Sequence, residues 1–223
     1  MCGIVGIYLK TKKFEKDLGK MLSGMLNNME SRGPDSAGFA IYKNENDKNY
    51  KYSLCINKIK FDEFKKEINK KINKPKINQF SDHVILKTTD EPKKVIKIIN
   101  SEFPNISLVG YGRSIEIFKQ VGNPRDVVKK FKLEHFTGSH GIGHTRMATE
   151  SAITTDGSHP YSTGEDECLV HNGSLSNHNN LRRELNKKGS IFNSENDTEV
   201  AAGYVSNSLS NNKSLKDTLT SGL

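Results

Sequence analysis

The feature that most constrains this chain is an apolar run that begins at its second residue. Residues 2–9 read Cys-Gly-Ile-Val-Gly-Ile-Tyr-Leu, and the β-branched members are typical of a buried strand. Most chain termini fray because little holds them in place. A buried strand at this position instead fixes the amino terminus, with Cys2, inside the fold.

Local patterns predict further elements along the chain. Apolar residues recur at helical spacing over 18–29, turn chemistry follows at 31–35, and a second strand follows at 36–42. Other strands are predicted over 83–89, 106–111, 141–147, 167–171 and 190–192, and helices over 92–103, 124–131, 177–187 and 197–209. Residues 214–223 read as a helix start without a C-cap, so two alternatives stay open: a fold that is complete and one that is C-terminally incomplete.

A Lys- and Asn-rich stretch accounts for most of the net charge of +8. Residues 43–76 hold eleven Lys against five acidic residues. We interpret this stretch as a solvated insertion, and a basic docking surface is the alternative. Residues 43–135 as a whole are predicted to form an insertion or subdomain. Because most of the charge is concentrated in this stretch, nucleic-acid binding is not expected.

Composition excludes several classes of protein. No apolar run approaches the roughly 18–20 residues that span a bilayer, and the amino terminus lacks the features of a secretory signal. A cytoplasmic location is therefore expected. The three cysteines are few and widely spaced, which argues against a disulfide framework and leaves room for one catalytic thiol.

Cys2 has the chemistry of a self-activating nucleophile. Once Met1 is removed, the residue carries a thiol and a free α-amine. An α-amine has a pKa of roughly 7.7–8.0, so much of it is neutral near pH 7–8 and can accept the thiol proton. A cysteine at position 2 is usually accidental, and only the buried strand behind it favours the functional interpretation.

Three other positions have both a chemical and a structural interpretation. Arg146 ends a predicted strand and suits a carboxylate ligand, or a structural ion pair. Asn172 and Gly173 suit an oxyanion hole or a plain turn. Asp197 suits a substrate ammonium or a helix N-cap. His140 and His144 have a spacing that binds metal on a helix, but the surrounding glycines argue against a helix, so no metal site is predicted.

Five motifs occur together in a fixed order: Cys-Gly-Ile-Val-Gly at 2–6, Arg-Gly-Pro-Asp-Ser at 32–36, His-Thr-Arg at 144–146, His-Asn-Gly at 171–173 and Asp-Thr-Glu at 197–199. As a set they resemble class II glutamine amidotransferases, which are N-terminal-nucleophile hydrolases. The longer runs at 143–151, 155–160 and 171–178 are most similar to stand-alone subunits of glutamate-synthase-like enzymes, as in N-methylglutamate synthase. Met147 departs from aminosugar synthases, where Trp normally follows the arginine.

The resemblance implies a role for each matching residue. Cys2 would attack the glutamine carboxamide, with Asn172 and the Gly173 N–H holding the oxyanion. Arg146 would bind the α-carboxylate and Asp197 the α-ammonium. The other substrate-binding positions that the resemblance implies are Thr149, His159 and His171. The implied structural positions near the site are Arg32 and Asp35.

The resemblance also implies a fold and partners. The expected fold is α+β, a four-layer αββα sandwich formed by one glutamine amidotransferase domain over residues 1–223. L-glutamine is the expected substrate, no cofactor is expected in this chain, and a synthase subunit would accept the ammonia, with a glutamate-synthase-like flavoprotein as the first candidate. Two alternatives remain: a hydrolase of another amide, and a non-catalytic interaction subunit with the same fold.

Overall fold

The computed structural model describes residues 2–43, 48–56, 59–148 and 152–221. Its strands are β1 (Gly3–Tyr8), β2 (Ser36–Tyr42), β3 (Tyr50–Cys55), β4 (Lys76–Phe80), β5 (His83–Thr88), β6 (Ser107–Gly112), β7 (Ile115–Val121) and β8 (His140–Arg146). Its helices are α1 (Leu18–Asn28), α2 (Phe61–Ile68), α3 (Pro92–Glu102), α4 (Pro124–Phe131), α5 (His178–Lys187), α6 (Asp197–Ser210) and α7 (Leu215–Ser221).

The first sheet carries the amino-terminal strand at its edge, in the antiparallel order β1–β8–β2–β7. Its register pairs Gly3 with Thr145 and Ser36 with Arg146. The start of β1, the end of β8 and the start of β2 therefore lie at one end of the sheet. Cys2 immediately precedes β1, so it lies beside the residues that follow β8.

Apolar clusters stack two sheets and four helices into layers. The second sheet has the antiparallel order β4–β5–β3–β6. One cluster packs α1 and α4 on the first sheet, a second lies between the sheets, and a third packs α2 and α3 on the far face of the second sheet. The first cluster contains Leu22 and Phe39, the second contains Ala40 and Cys55, and the third contains Leu54 and Phe64. The predicted α+β four-layer sandwich is confirmed.

Simple sequence signals explain the helices against the first sheet. In α1 the residues Leu18, Leu22 and Leu26 recur every four positions, and all three are buried. In α4 the Asn123 side chain accepts a hydrogen bond from Arg125 N at 3.0 Å, and Pro occupies the first helical position. Both helices lie where the sequence predicts them.

The interpretation of 43–76 as a solvated insertion is wrong for β3. All six residues of β3 are buried, because this strand pairs with β5 on one side and β6 on the other. Even Lys51 is buried, with its Nζ 3.5 Å from Glu116 Oε1. The Lys-rich composition of this stretch obscures the pattern of a strand whose alternate residues Tyr52 and Leu54 pack in the core. Residues 43–135 also supply β7 and α4 to the layers of the first sheet.

Two predicted strands are absent from the described residues. At 167–171 only Leu169 pairs, in an isolated bridge with Tyr161. At 190–192 the chain continues from the end of α5, where Ser190 N donates to Leu185 O at 3.0 Å. Short apolar runs satisfy the strand pattern, but among the described residues neither run pairs with an edge strand of the two sheets. None of the helices described here combines the length and apolar character that crossing a bilayer requires.

Gly33 is required by the close packing of the turn on β8. A Cβ at this position would lie 2.4 Å from the backbone carbon of Thr145, which cannot move without shifting the strand. We expect Gly33→Ala to lower the free energy of unfolding by about 1–3 kcal/mol. Gly24, in α1, has open space around it, so Gly24→Ala should raise that free energy by about 0.5–1 kcal/mol. Urea denaturation of both variants measures this, and equal effects would contradict the packing argument.

Candidate active site

Cys2 lies at the end of the first sheet and contacts the loop after β8. Met147 N donates a hydrogen bond to Cys2 Sγ at 3.4 Å, and the thiol lies 3.7 Å from Met147 O. The residue is partly exposed. The sulfur is therefore held by backbone groups while one side of it stays accessible.

Asp35 fixes the loop that holds this sulfur. Its backbone N donates to Arg146 O at 3.1 Å, and its Oδ2 accepts from Ala148 N at 2.7 Å. These two bonds clamp both ends of Met147. Arg32 lies exposed in the short 3₁₀ turn Glu30–Arg32, where its N donates to Met29 O. The geometry of Asp35 supports the structural role that the sequence suggests.

The Asn172 side chain bridges Cys2 to the interior of the protein. Its Nδ2 donates to Cys2 O at 3.1 Å, and its Oδ1 lies 2.8 Å from His144 Nε2. Gly173 is exposed next to it, and a Cβ there would lie 2.6 Å from His171 Nε2. The structure thus places the Asn172 side chain directly beside Cys2, and Gly173 is the next residue along the chain.

His144 and His159 form a buried, stacked pair of imidazoles. Their ring centroids are 3.9 Å apart with an angle of 10° between the planes, and His159 meets Tyr161 edge-on. Burial lowers the pKa of His144 to about 4, against the opposing effect of its hydrogen bond to Asn172. Burial and the neighbouring His144 also lower the pKa of His159 well below its ordinary value. Both rings are therefore neutral at pH 7.

Lys119 holds the loop that carries His159. It is a β7 residue with 5% of its surface exposed, and its Nζ donates to Ser158 O at 2.9 Å and to Asp156 O at 3.1 Å. The ammonium also lies 4.5 Å from the Tyr161 ring centroid. Burial lowers the pKa of Lys119 to about 8, partly offset by Glu199.

The side chains of Arg146 and Asp197 hydrogen-bond to backbone groups of the loops that follow β8 and Asn172, respectively. Arg146 is 5% exposed and its Nη1 donates to Ala152 O at 3.3 Å. Asp197 begins α6, but the N-cap is Asn196, whose side chain accepts from Thr198 N. Asp197 Oδ2 instead accepts from Leu175 N at 2.7 Å. This bond ties α6 to the loop that carries Asn172. The predicted position Thr149 lies outside the described residues.

A cavity of about 640 Å³ lies beyond Lys119 and Tyr161 and does not include Cys2. It opens between β6, the 161–167 loop and α6, and neither Cys2 nor Asn172 lines it. Lys119 and Tyr161 separate it from the stacked histidines, since both line its wall and also contact the His159 loop. Among the described residues, no group of three or more His, Cys, Asp or Glu is arranged to hold a metal ion.

Comparison with known proteins places this geometry in a family. A model described as a glutamine amidotransferase domain matches residues 132–208. The glutamine amidotransferase-like protein GlxB of Rhizobium meliloti is 46% identical over 226 residues, which cover all of this chain and 75% of that protein. The chain belongs to the class II glutamine amidotransferase family.

Two further relatives extend this family assignment. A putative glutamine amidotransferase of Methanothermobacter thermautotrophicus is 32% identical over 235 residues, covering 98% of this chain and 76% of that protein. The glutamine–fructose-6-phosphate aminotransferase of Methanococcus maripaludis is 39% identical over 105 residues, 47% of this chain and 18% of that protein. This amidotransferase chain therefore shares its whole length with some relatives and about half with others.

Sequence reasoning missed the part that His144 has in this amidotransferase site. The sequence marks it as the first residue of the His-Thr-Arg motif at 144–146 and by its spacing from His140, and neither pattern assigns it a role. The missing signal was its position in the β8 register, opposite Ile4, which is two residues from Cys2 in the neighbouring strand. A pairing of β1 with β8 could have been proposed from their similar lengths, but their register could not.

The neutral histidines make the stability of the amidotransferase fold depend on pH. Their folded pKa values lie below the unfolded value of 6.5, so their contribution is present above pH 6.5 and is lost as the pH falls. For His144, a folded pKa of about 4 corresponds to about 3 kcal/mol. We expect the free energy of unfolding, measured with urea between pH 7 and 4.5, to decrease less steeply in His144→Gln than in the wild type.

The control for this measurement is an exposed imidazole. His135 is 72% exposed, so His135→Gln should retain the wild-type pH dependence. A His144→Gln variant as steep as the wild type would show that His144 is not held neutral in the folded state.

Proposed function

We propose that this chain hydrolyses L-glutamine to glutamate and ammonia, with Cys2 as the nucleophile. The observation that carries the proposal is the hydrogen bond from Asn172 Nδ2 to Cys2 O at 3.1 Å. It holds an amide donor against the residue that bears the thiol, where a carbonyl under attack would develop negative charge. Gly173 N–H, on the next residue, is the second donor.

Each step of the proposed reaction has a named group. After removal of Met1, the Cys2 α-amine accepts the thiol proton, and Sγ attacks the carboxamide carbon of glutamine. The oxyanion receives hydrogen bonds from Asn172 and Gly173. The α-ammonium of Cys2 then returns its proton to the amide nitrogen of the intermediate, the C–N bond breaks so that this nitrogen leaves as ammonia, and a γ-glutamyl thioester remains. Water, deprotonated by the same amine, hydrolyses the thioester to glutamate, and no cofactor is required.

The charged ends of glutamine suggest roles for Arg146 and Asp197. A zwitterionic substrate needs a cation for its carboxylate and an anion for its ammonium, and Arg suits the former because its donors form a planar fork. His159 and His171 are proposed to contribute to substrate binding as well, His159 through its ring stacked on His144 and His171 as the residue before Asn172. Thr149 would complete the carboxylate end.

The ammonia produced is proposed to serve a partner. The family supports this, because amidotransferases deliver nitrogen to an acceptor site. A synthase subunit of the glutamate-synthase-like flavoprotein class is the proposed acceptor, on the strength of the motif resemblance at 143–151 and 171–178. The cytoplasm is the proposed location.

The nucleophile is tested by comparing two cysteines. Cys2→Ala should abolish ammonia release from glutamine. Cys168→Ala should leave it unchanged, because burial raises the pKa of Cys168 to about 11 and Tyr42 already hydrogen-bonds its sulfur. Asn172→Ala should lower kcat by about 10²–10³. Intact mass must first show that Met1 has been removed from the protein used.

Three results would overturn the proposal. They are full activity in Cys2→Ala, cleavage of another amide in a substrate panel while glutamine is ignored, and inactivity of the Met1-processed protein with its partner present. The second would indicate a different amide hydrolase and the third an interaction subunit.

The role of Asp197 is tested with a substrate pair. Glutaramate is glutamine without its α-amine, so the two substrates differ only in the group that Asp197 is proposed to bind. We expect Asp197→Asn to raise KM for glutamine at least tenfold and to leave KM for glutaramate within about twofold, because Asn keeps the acceptor for Leu175 N. A similar change for both substrates would assign Asp197 a purely structural role.

A further inference from the structure

The orientation of the Asn172 amide decides whether the proposed oxyanion hole exists. An amide has a donor end and an acceptor end of nearly equal size. Turned by 180°, Asn172 would present its oxygen to the developing oxyanion and would repel it. Some group must therefore distinguish the two orientations.

The surroundings of Asn172 settle its orientation. Cys2 O, 3.1 Å away, is a carbonyl that can only accept, so the amide atom facing it is the donor Nδ2. Oδ1 consequently faces His144 Nε2 at 2.8 Å. His171 O, another acceptor, lies 3.3 Å from the same nitrogen. Because Asn172 Oδ1 and His171 O are both acceptors, the His144 Nε2 that faces them must carry the hydrogen.

The environment of His144 holds its ring in the orientation that favours the Nε2–H tautomer. It is 1% exposed, it lies within β8 between β1 and β2, and its ring is stacked on His159. Among the described residues, nothing hydrogen-bonds its other nitrogen, the buried Nδ1. Lys119 fixes the backbone of the His159 loop from the opposite side. The ring therefore has a single hydrogen-bonding end, and that end faces Asn172.

We propose that His144 is a positioning residue of the glutaminase reaction, which it serves by donating from Nε2 to Asn172 Oδ1 and so aiming Nδ2 at the oxyanion. This inference rests on the proposed function. His144 touches neither the substrate nor the thiol in this scheme. Its effect is exerted in the transition state, through Asn172, so it should appear in kcat and not in KM.

Two substitutions of His144 separate this role from packing. The amide nitrogen of Gln occupies approximately the place of Nε2, whereas that of Asn reaches only the place of Nδ1. We expect His144→Gln to keep kcat for glutamine within about threefold of the wild type. His144→Asn should lower kcat by about 10–100-fold, up to the limit set by loss of one oxyanion donor, with KM within about twofold. Alkylation of Cys2 by iodoacetamide should proceed at the wild-type rate in both.

A double-mutant cycle ties the effect to Asn172. In an Asn172→Ala background, His144→Asn should have no further effect on kcat. An undiminished additional loss there, or equal kcat values for the Gln and Asn variants, would overturn the positioning role. Nitrogen-15 NMR of the imidazole gives a readout that does not need activity: the Nε2–H tautomer is expected at pH 7, and the Nδ1–H tautomer would refute the proposal. A wild-type protein that ignores glutamine while showing the Nε2–H tautomer would reject the proposed function and with it the catalytic meaning of this contact.

Discussion

The antiparallel pairing of β1 with β8 is the constraint on which the rest of this site depends. The register that places Gly3 opposite Thr145 brings Cys2 to the loop after Arg146 and aligns His144 with the first strand. A slip of one residue would turn every side chain of β1 to the other face of the sheet. Because the buried side chains of α1 pack on Val5 and Gly143, the core resists such a slip, and the position of the proposed nucleophile, Cys2, is thereby a consequence of core packing.

Much of the fold was accessible from the sequence, and the reasons are local. The four-residue repeat of α1, the Asn-Pro start of α4 and the β-branched composition of β1 each specify one element without reference to the rest of the chain. The strand β3 was missed because its burial comes from two neighbouring strands, and Lys51 among its residues resembles a surface position. The predicted strand at 167–171 failed for the converse reason: its composition suits a sheet, but no sheet edge receives it.

For the site, residue types could be predicted but their connections could not. The motifs name Cys2, Asn172 and Asp197 because certain chemistry requires those side chains. That Asn172 donates to the backbone of residue 2, that Asp35 clamps both sides of Met147, and that Asp197 ties α6 to the Asn172 loop are facts of tertiary structure. The chain also keeps a stacked histidine pair and a lysine in its interior, which no composition rule anticipates. Two backbone carbonyls accept hydrogen bonds from the lysine ammonium.

Asn172 holds residue 2 by its main-chain carbonyl and not by its sulfur. This anchor at the main-chain carbonyl remains when the thiol is exchanged, and the contacts of Sγ with Met147 are the ones that change. The position of residue 2 is thereby set through its main chain, separately from the chemical identity of its side chain. Replacing sulfur with oxygen at that position would alter the reactivity of the centre while leaving its architecture unchanged.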